Sequence, residues 1–357
     1  MNFVEQDHKQ AVQEYYGQTL QKTDDLLTNA CCSVSSYPPK IKAILSEIHP
    51  EVVERFFGCG LTIPSLLEGL KVIDLGSGSG RDAYILSRLV GEKGQVTGVD
   101  MTPEQLDVAR KHMGFHQEKF GYPKSNVQFL EGDIQNISAL NLQADHQDLI
   151  ISNCVINLVD DKLAVFKEAY RLLKPGGELY FSDVYTDKRV PLDLKNDPVL
   201  YGECLSGALY WNDFLRDVKA AGFADPRWVD FNRITIENES VQKALEGIQF
   251  YSVTCRLIKL AGLEPGCEDY GQAVRYRGGV EEMPQVFWLD QGHAFAKDKI
   301  ELVCGNSYRM LKETRFAPYF DFFGDFNHHH GVFPGCGGHF PFAQTSSSEG
   351  PTSNCGC

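Results

Sequence analysis

The chain has 357 residues, 43% of them hydrophobic and 23% charged, which is the composition of a globular protein with room for two or three domains and a large core, not of a disordered or fibrous chain. Its 34 basic and 48 acidic residues leave a net charge of −14 with no basic cluster, which argues against nucleic acid or an anionic membrane as partner. No apolar run approaches the roughly 18 residues of a membrane span, and the opening MNFVEQDHKQ lacks a secretory signal, so a cytoplasmic location is expected. In that compartment the eleven cysteines, an odd number that excludes complete internal pairing, are expected to be thiols available for metals, metalloids or catalysis in preference to a structural disulfide framework.

Residues 1–68 carry a mostly helical pattern and read as a cap. It is broken by the serine- and proline-containing loop 31–39 and by Phe-Phe-Gly-Cys-Gly, which sets Cys59 between two glycines. Strands and helices then alternate. KVIDL (71–75) is a short β-branched strand, GSGSG follows it, and a helix runs from Arg81 to about residue 90, ended by Gly91 and Gly94. QVTGVD is the second strand, and Thr102-Pro103-Glu104-Gln105 combines an N-cap, a proline at the first helical position and a glutamine at the third, a capping box. Strands at 126–133 and 148–154, a helix over 161–173, the turn Lys174-Pro175-Gly176-Gly177 and the strand ELYFSDVY complete the series. Such alternation predicts an α/β fold with a doubly wound, mostly parallel sheet over 69–240. A helix at about 212–221 follows. FYSVTCRLI (250–258), with Val253, Cys255 and Leu257 alternating against Ser252, Thr254 and Arg256, belongs to a small α+β unit placed at 241–326. Residues 327–357, rich in Gly, Ser, Pro, His and Cys, are expected to be a mobile tail.

The glycine loop defines the ligand by its spacing. A dinucleotide fold wants G-x-G-x-x-G/A, but the sixth position counted from Gly76 is Arg81, so that pattern fails. The series Asp74-Leu75-Gly76-Ser77-Gly78-Ser79-Gly80-Arg81 resembles instead the first motif of S-adenosylmethionine-dependent methyltransferases. On that reading Gly76, Gly78 and Gly80 bring backbone N–H groups to the cofactor, Asp100 accepts from both ribose hydroxyls and Asp133 meets the adenine amino group. Asp74, Met101 and Asn153 complete the expected cofactor-binding set.

Ligands of open α/β sheets lie beyond the carboxyl ends of the strands, where Cys154 closes the fourth strand and Cys204 lies in the segment leaving the fifth. Cys31 and Cys59, in loops of the cap, are able to fold over that end. Cys255, in mid-strand among apolar neighbours, reads as a small buried hydrophobe. Tyr15-Tyr16-Gly17, Asn29-Ala30-Cys31, Phe57-Gly58-Cys59-Gly60, DLGSGSGRD, SNCVINLV around Cys154, LKPGGELYFSDVY and GECLSGALYW around Cys204 together resemble the arsenite methyltransferases over residues 10–320. The resemblance implies a Rossmann-like class I methyltransferase with a helical N-terminal cap, an arsenic-binding insertion around 186–210 and a C-terminal α+β domain. It implies that Cys31, Cys59, Cys154 and Cys204 are catalytic and that Cys59, Cys154 and Cys204 ligate arsenic(III). The adjacent Cys31-Cys32 pair departs from the family pattern, with Cys31 favoured.

Trivalent arsenic is soft and prefers thiolate sulfur. Held by thiolates it keeps a lone pair, the nucleophile toward an activated methyl group, so the protein's task is alignment. Transfer leaves arsenic pentavalent, and neighbouring thiols restore it by forming a disulfide that thioredoxin or glutathione reopens. The expected partners are therefore arsenite or its thiol conjugates and a thiol reductant, acting on a monomer. Two other readings keep the cofactor loop or the thiols alone: methyl transfer to a small organic or quinone-like substrate, and a non-catalytic metalloid-binding protein. A zinc site in the tail, from His328, His329, His330, Cys336, His339, Cys355 and Cys357, lacks paired C-x-x-C spacing.

Overall fold

The computed structural model describes residues 8–19, 37–58, 60–191, 194, 200–201, 204–236, 239–245 and 247–335. The cap contributes α1 (His8–Glu14), which runs on into a π-helical turn (Tyr15–Thr19), then α2 (Pro39–Leu45) and α3 (Pro50–Glu54). Both α2 and α3 start at a proline, whose fixed φ suits the first helical position and whose missing N–H is not needed there.

The alternating region folds as its pattern dictates. It supplies β1 (Lys71–Leu75), α4 (Arg81–Val90), β2 (Gln95–Asp100), α5 (Pro103–Lys111), α6 (Met113–Phe120), β3 (Val127–Glu131), β4 (Gln147–Asn153), α7 (Lys162–Leu172), β5 (Leu173–Thr186), β6 (Leu209–Tyr210), α8 (Trp211–Ala221), β7 (Arg227–Ile234), α9 (Glu239–Ala244) and β8 (Phe250–Ile258). Gly80 at φ 89° turns the chain into α4, and Gly91 at φ 71° stops it, both in conformations that L side chains resist. The strands order as β3-β2-β1-β4-β5-β8-β7, with β6 beside the end of β5. The first five run parallel, and β8 and β7 join antiparallel. Apolar clusters cover both faces, one around Ile73, Ile150, Phe166 and Phe181, the other around Val72, Tyr84, Leu86 and Ile151. This is the predicted doubly wound α/β architecture.

Beyond it, β9 (Glu268–Asp269), β10 (Gln272–Tyr276), β11 (Val286–Asp290), β12 (His293–Ala296), β13 (Ile300–Val303), α10 (Gly305–Lys312), β14 (Phe320–Phe323) and β15 (Gly331–Val332) build the α+β unit around Tyr276, Phe287, Phe316 and Phe320. Three local features differ from the sequence reading. First, β8 is a strand of the main sheet, paired along its whole length with β5, so that sheet extends past residue 240 to residue 258. Its polar face misleads: Ser252, Thr254 and Arg256 are buried like their apolar neighbours, and Arg256 pairs with Glu178 of β5. Second, the start of the proposed tail pairs in β15 with β9, whereas residues 336–357, including the tail cysteines and His339, lie outside the described residues. Third, the capping box does not form. Thr102 makes no side-chain cap and hydrogen-bonds Asp100, and Gln105 reaches across to donate to the Tyr16 carbonyl at 2.9 Å. Among the described residues no helix is long and apolar enough to cross a membrane.

Candidate active site

A cavity opens at the carboxyl ends of β1, β2 and β4. The glycine loop forms one wall. Gly76, Gly78 and Gly80 have φ of 73°, 51° and 89°, and a Cβ built on Gly78 would meet nothing within 4 Å, so its backbone faces open space. Asp74, Gly76, Gly78, Asp100, Met101, Asp133 and Asn153 all line the cavity; Gly80 does not, and packs instead against Phe129 and Tyr84.

Three buried polar atoms on this wall have no hydrogen-bond partner among the described residues: Asp74 Oδ2, Ser77 Oγ and Gln105 Oε1. Buried polar groups are ordinarily paired, so the cavity is shaped for a ligand that completes them. The Asp74 carboxyl is pushed well above the usual carboxylate range by burial and by the like charges of Asp82 and Asp100, an environment that favours a cationic ligand. Asp100 accepts from the Gly78 and Thr102 N–H groups at 2.8 Å each, and also from the Thr102 side chain and the Met101 N–H, which fixes its carboxylate on the cavity wall. Asp133 accepts from the Gln135 N–H at 2.9 Å and pairs at 2.8 Å with Lys9 of α1. With Val12 and Tyr16 also on the wall and Gln13 donating to the Met101 carbonyl at 2.8 Å, α1 and its π-turn roof the cavity. These residues fit S-adenosylmethionine, whose sulfonium and ammonium are cations and whose ribose and adenine are hydrogen-bonding groups.

Asn153, expected at the cofactor, also ties down the cap. Its amide donates to the Gly60 carbonyl at 2.9 Å and to Asp82 at 3.0 Å, and its oxygen accepts from the Gly60 N–H at 3.2 Å. Gly58 and Gly60, the neighbours of position 59, press onto the strand ends. A Cβ on Gly58 would approach Asn153 to 2.7 Å, and one on Gly60 would approach Ser182 Oγ to 2.3 Å. Arg81, which broke the dinucleotide spacing, anchors the same segment. Its guanidinium lies 3.0 Å from the centroid of the Phe56 ring, is paired with Asp82 and donates to Tyr37.

Cys154 follows β4 directly. Its N–H donates to the Ser182 carbonyl of β5 at 2.9 Å, and its φ is 57°. Cys204 also has a left-handed backbone, φ 63°, and its Sγ donates to the Cys154 carbonyl at 3.3 Å. The two sulfurs and a carboxylate oxygen of Asp183 lie within 4.8 Å of one another, all three residues buried. Cys154 is also on the cavity wall, so this nest adjoins the nucleoside site. Cys154 is disulfide-bonded in this structure. Cys31 and Cys59 lie outside the described residues. Cys255 is wholly buried in β8, where burial pushes its thiol up, away from reactivity.

Sequence reasoning passed over Lys9, Gln105, Asp183 and Asn157. Burial raises the Asp183 carboxyl to about 6 against the N–H groups of Val184 and Asn157 that favour its ionised form. The only earlier signal for it was its place in the motif FSDVY. A separate convergence of His49, Glu51 and His112 is an ion-pair network, with Lys111 and His112 both 2.7 Å from one Glu51 oxygen.

Residues 66–222 match the family model described as a methyltransferase domain. The arsenite methyltransferase of Aquipseudomonas alcaligenes is 53% identical over 346 residues, covering 97% of this chain and 99% of that protein. The human arsenite methyltransferase is 45% identical over 312 residues, covering 87% of this chain and 82% of that protein. The crystal structure of an arsenic(III) S-adenosylmethionine methyltransferase from Chlamydomonas reinhardtii superposes with a TM-score of 0.81 at 48% identity, covering 84% of this chain and 100% of that one. With a class I methyltransferase sheet, a cavity fitted to S-adenosylmethionine and relatives this similar along almost its whole length, the chain belongs to the arsenite methyltransferase family.

Proposed function

We propose that the protein transfers a methyl group to trivalent arsenic held on cysteine thiolates, so that arsenite or its thiol conjugates are methylated and detoxified. The observation that carries this reading is the nest at Cys154 and Cys204. Two sulfurs from separate stretches of chain lie within 4.8 Å of each other, and one of them is on the wall of the nucleoside cavity. Soft arsenic prefers such sulfur over the oxygen donors of water. The glycines on either side of position 59 pack against Asn153 and Ser182, the residues that flank and hold Cys154, which supports Cys59 as the third ligand.

Bound S-adenosylmethionine supplies a methyl group already activated by its sulfonium. The chain contributes placement. Cys154 and Cys204 hold arsenic with its lone pair exposed, the glycine loop and Asp100 fix the nucleoside, and the roof of α1 limits water. No general base is required, because the attacking lone pair carries no proton. Methylation oxidises arsenic from the trivalent to the pentavalent state. Two thiols that join as a disulfide release two protons and two electrons, which return arsenic to the trivalent state. The disulfide at Cys154 is consistent with that oxidised form, and a cellular thiol reductant such as thioredoxin or glutathione would reopen it.

The test replaces Cys31, Cys59, Cys154 and Cys204 by Ser singly and separates the arsenic products formed from arsenite and from monomethylarsenite. Arsenite has three exchangeable bonds and its monomethylated product two. Cys154→Ser and Cys204→Ser should abolish both rounds, whereas Cys31→Ser should spare the second. Full first-round activity in Cys154→Ser overturns the reading.

A further inference from the structure

Neither ligand thiol sits on a regular element. Cys154 and Cys204 each occupy a left-handed turn, which costs a non-glycine residue roughly 1–2 kcal/mol and persists only where the surroundings over-determine it. The sulfurs belong to residues fifty apart, and Cys204 Sγ donates to the Cys154 carbonyl at 3.3 Å. A buried polar pair beside them is placed to set their spacing.

Asn157 and Asp183 lie where the two turns meet. One Asp183 oxygen accepts from the Asn157 N–H at 3.0 Å; the other accepts from the Asn157 side-chain amide at 2.7 Å and from the Val184 N–H at 2.9 Å. The remaining amide hydrogen of Asn157 goes to the Val184 carbonyl at 2.6 Å. The turn that follows Cys154 is thereby bolted to the end of β5. On its other side the Asn157 carbonyl fills the space beside Gly207, where a Cβ would sit 2.2 Å from it, so Asn157 also bears on the turn that carries Cys204. Asn157 and Asp183 are each only 1% exposed, and an Asp183 oxygen is within 4.8 Å of both sulfurs. A buried amide and carboxylate with every donor used form a rigid unit, one that only its exact partners satisfy.

We propose that Asn157 and Asp183 are positioning residues, a buried clasp that sets the separation of the Cys154 and Cys204 sulfurs by locking together the turns that bear them. This rests on the arsenic-binding reading of those thiols. In that role they act as the outer shell of the arsenic site, holding its ligands and not touching the substrate themselves. Loss of such an outer-shell contact lowers affinity or activity by about 10–100-fold in metal sites.

The probe is phenylarsine oxide, whose trivalent arsenic has two exchangeable bonds and so reports the spacing of two thiols. Titrated into the phosphine-reduced full chain, it should bind an equivalent that replacing Cys154 and Cys204 together by Ser removes. Asn157→Ala and Asn157→Ser, both of which keep the backbone donor to Asp183 and lose the side-chain amide, should each weaken that equivalent about 10–100-fold. The KM for arsenite should rise with it, while S-adenosylmethionine affinity by calorimetry and the thiol count after denaturation stay unchanged. Gly207→Ala, which pushes on the same carbonyl from the Cys204 side, should act in the same direction. If Asn157→Ser captures the probe with wild-type affinity, the clasp is wrong while the arsenic site stands. If wild-type capture survives replacement of both Cys154 and Cys204 by Ser, the arsenic site fails and the clasp with it.

Discussion

Cys154 and Cys204 hold their thiols on backbone that a side chain disfavours, and that strain is separable from chemistry. Glycine adopts the left-handed turn at no steric cost but gives up more freedom on folding. The first effect, roughly 1–2 kcal/mol, exceeds the second, roughly 0.5–1 kcal/mol. Cys204→Gly should therefore be about 0.5–1 kcal/mol more stable than Cys204→Ala in urea unfolding, with both inactive; equal stabilities would show that the turn stores no strain. The thiols themselves were legible because flanking residues such as SNCVINLV and GECLSGALYW form recognisable motifs. Their support was not. Asn157 reads as a polar residue in a turn, and nothing in a linear sequence says that its amide lies 2.7 Å from a carboxylate 26 residues away.

Among the elements, α3, α5 and α6 meet in a histidine cluster that couples the cap to the sheet. The His49 N–H donates to His116 Nε2 at 3.2 Å, and the other ring nitrogen of His116 donates to the His112 carbonyl at 2.8 Å, so His116 is held neutral. Burial lowers its pKa to about 4 from the ordinary 6.5. Between these values the unfolded chain binds a proton that the native state refuses, so stability is full above pH 6.5 and is lost as pH falls toward 4. The loss amounts to about 3 kcal/mol at most. Urea midpoints measured across this window should fall more steeply for the wild type than for His116→Gln, which keeps a donor and an acceptor without titrating. Parallel slopes would refute the assignment. The helices and strands were legible from periodicity and glycine punctuation. The failed capping box was not, because Gln105 is drawn off by Tyr16, a residue 89 positions away.

At the scale of the whole molecule, the sheet and the α+β unit are fastened by buried ion networks. Arg227 of β7, with no exposed side-chain surface, pairs with Asp225 at 2.6 Å and with Asp290 of the β11–β12 hairpin at 3.0 Å. Burial alone would push the Asp290 carboxyl up, but His293 and Arg227 outweigh it and hold it at about 2. Glu178 of β5 likewise binds Arg256 of β8 and Arg315 beyond α10. Arg227→Met leaves the buried Asp225 carboxylate without its cation and Asp290 with His293 alone, and should cost about 3–5 kcal/mol in urea unfolding; a loss under about 1 kcal/mol would mean that water reaches the network. The doubly wound class was readable from the order of elements, but the membership of β8 was not, since its alternation suits a half-exposed strand and only the partner unit buries the polar face. The cavity belongs to this scale too. The cavity wall carries five aspartates, of which burial favours the neutral form of Asp74 and Arg81 offsets Asp82, against one lysine and one arginine, so it leans acidic in a chain of net charge −14. The methyl donor carries one more positive charge than the thioether nucleoside that remains after reaction. The field in this chamber therefore attracts the fresh donor and loosens its grip on the spent one, so Coulomb's law gives turnover a direction before any moving part is invoked.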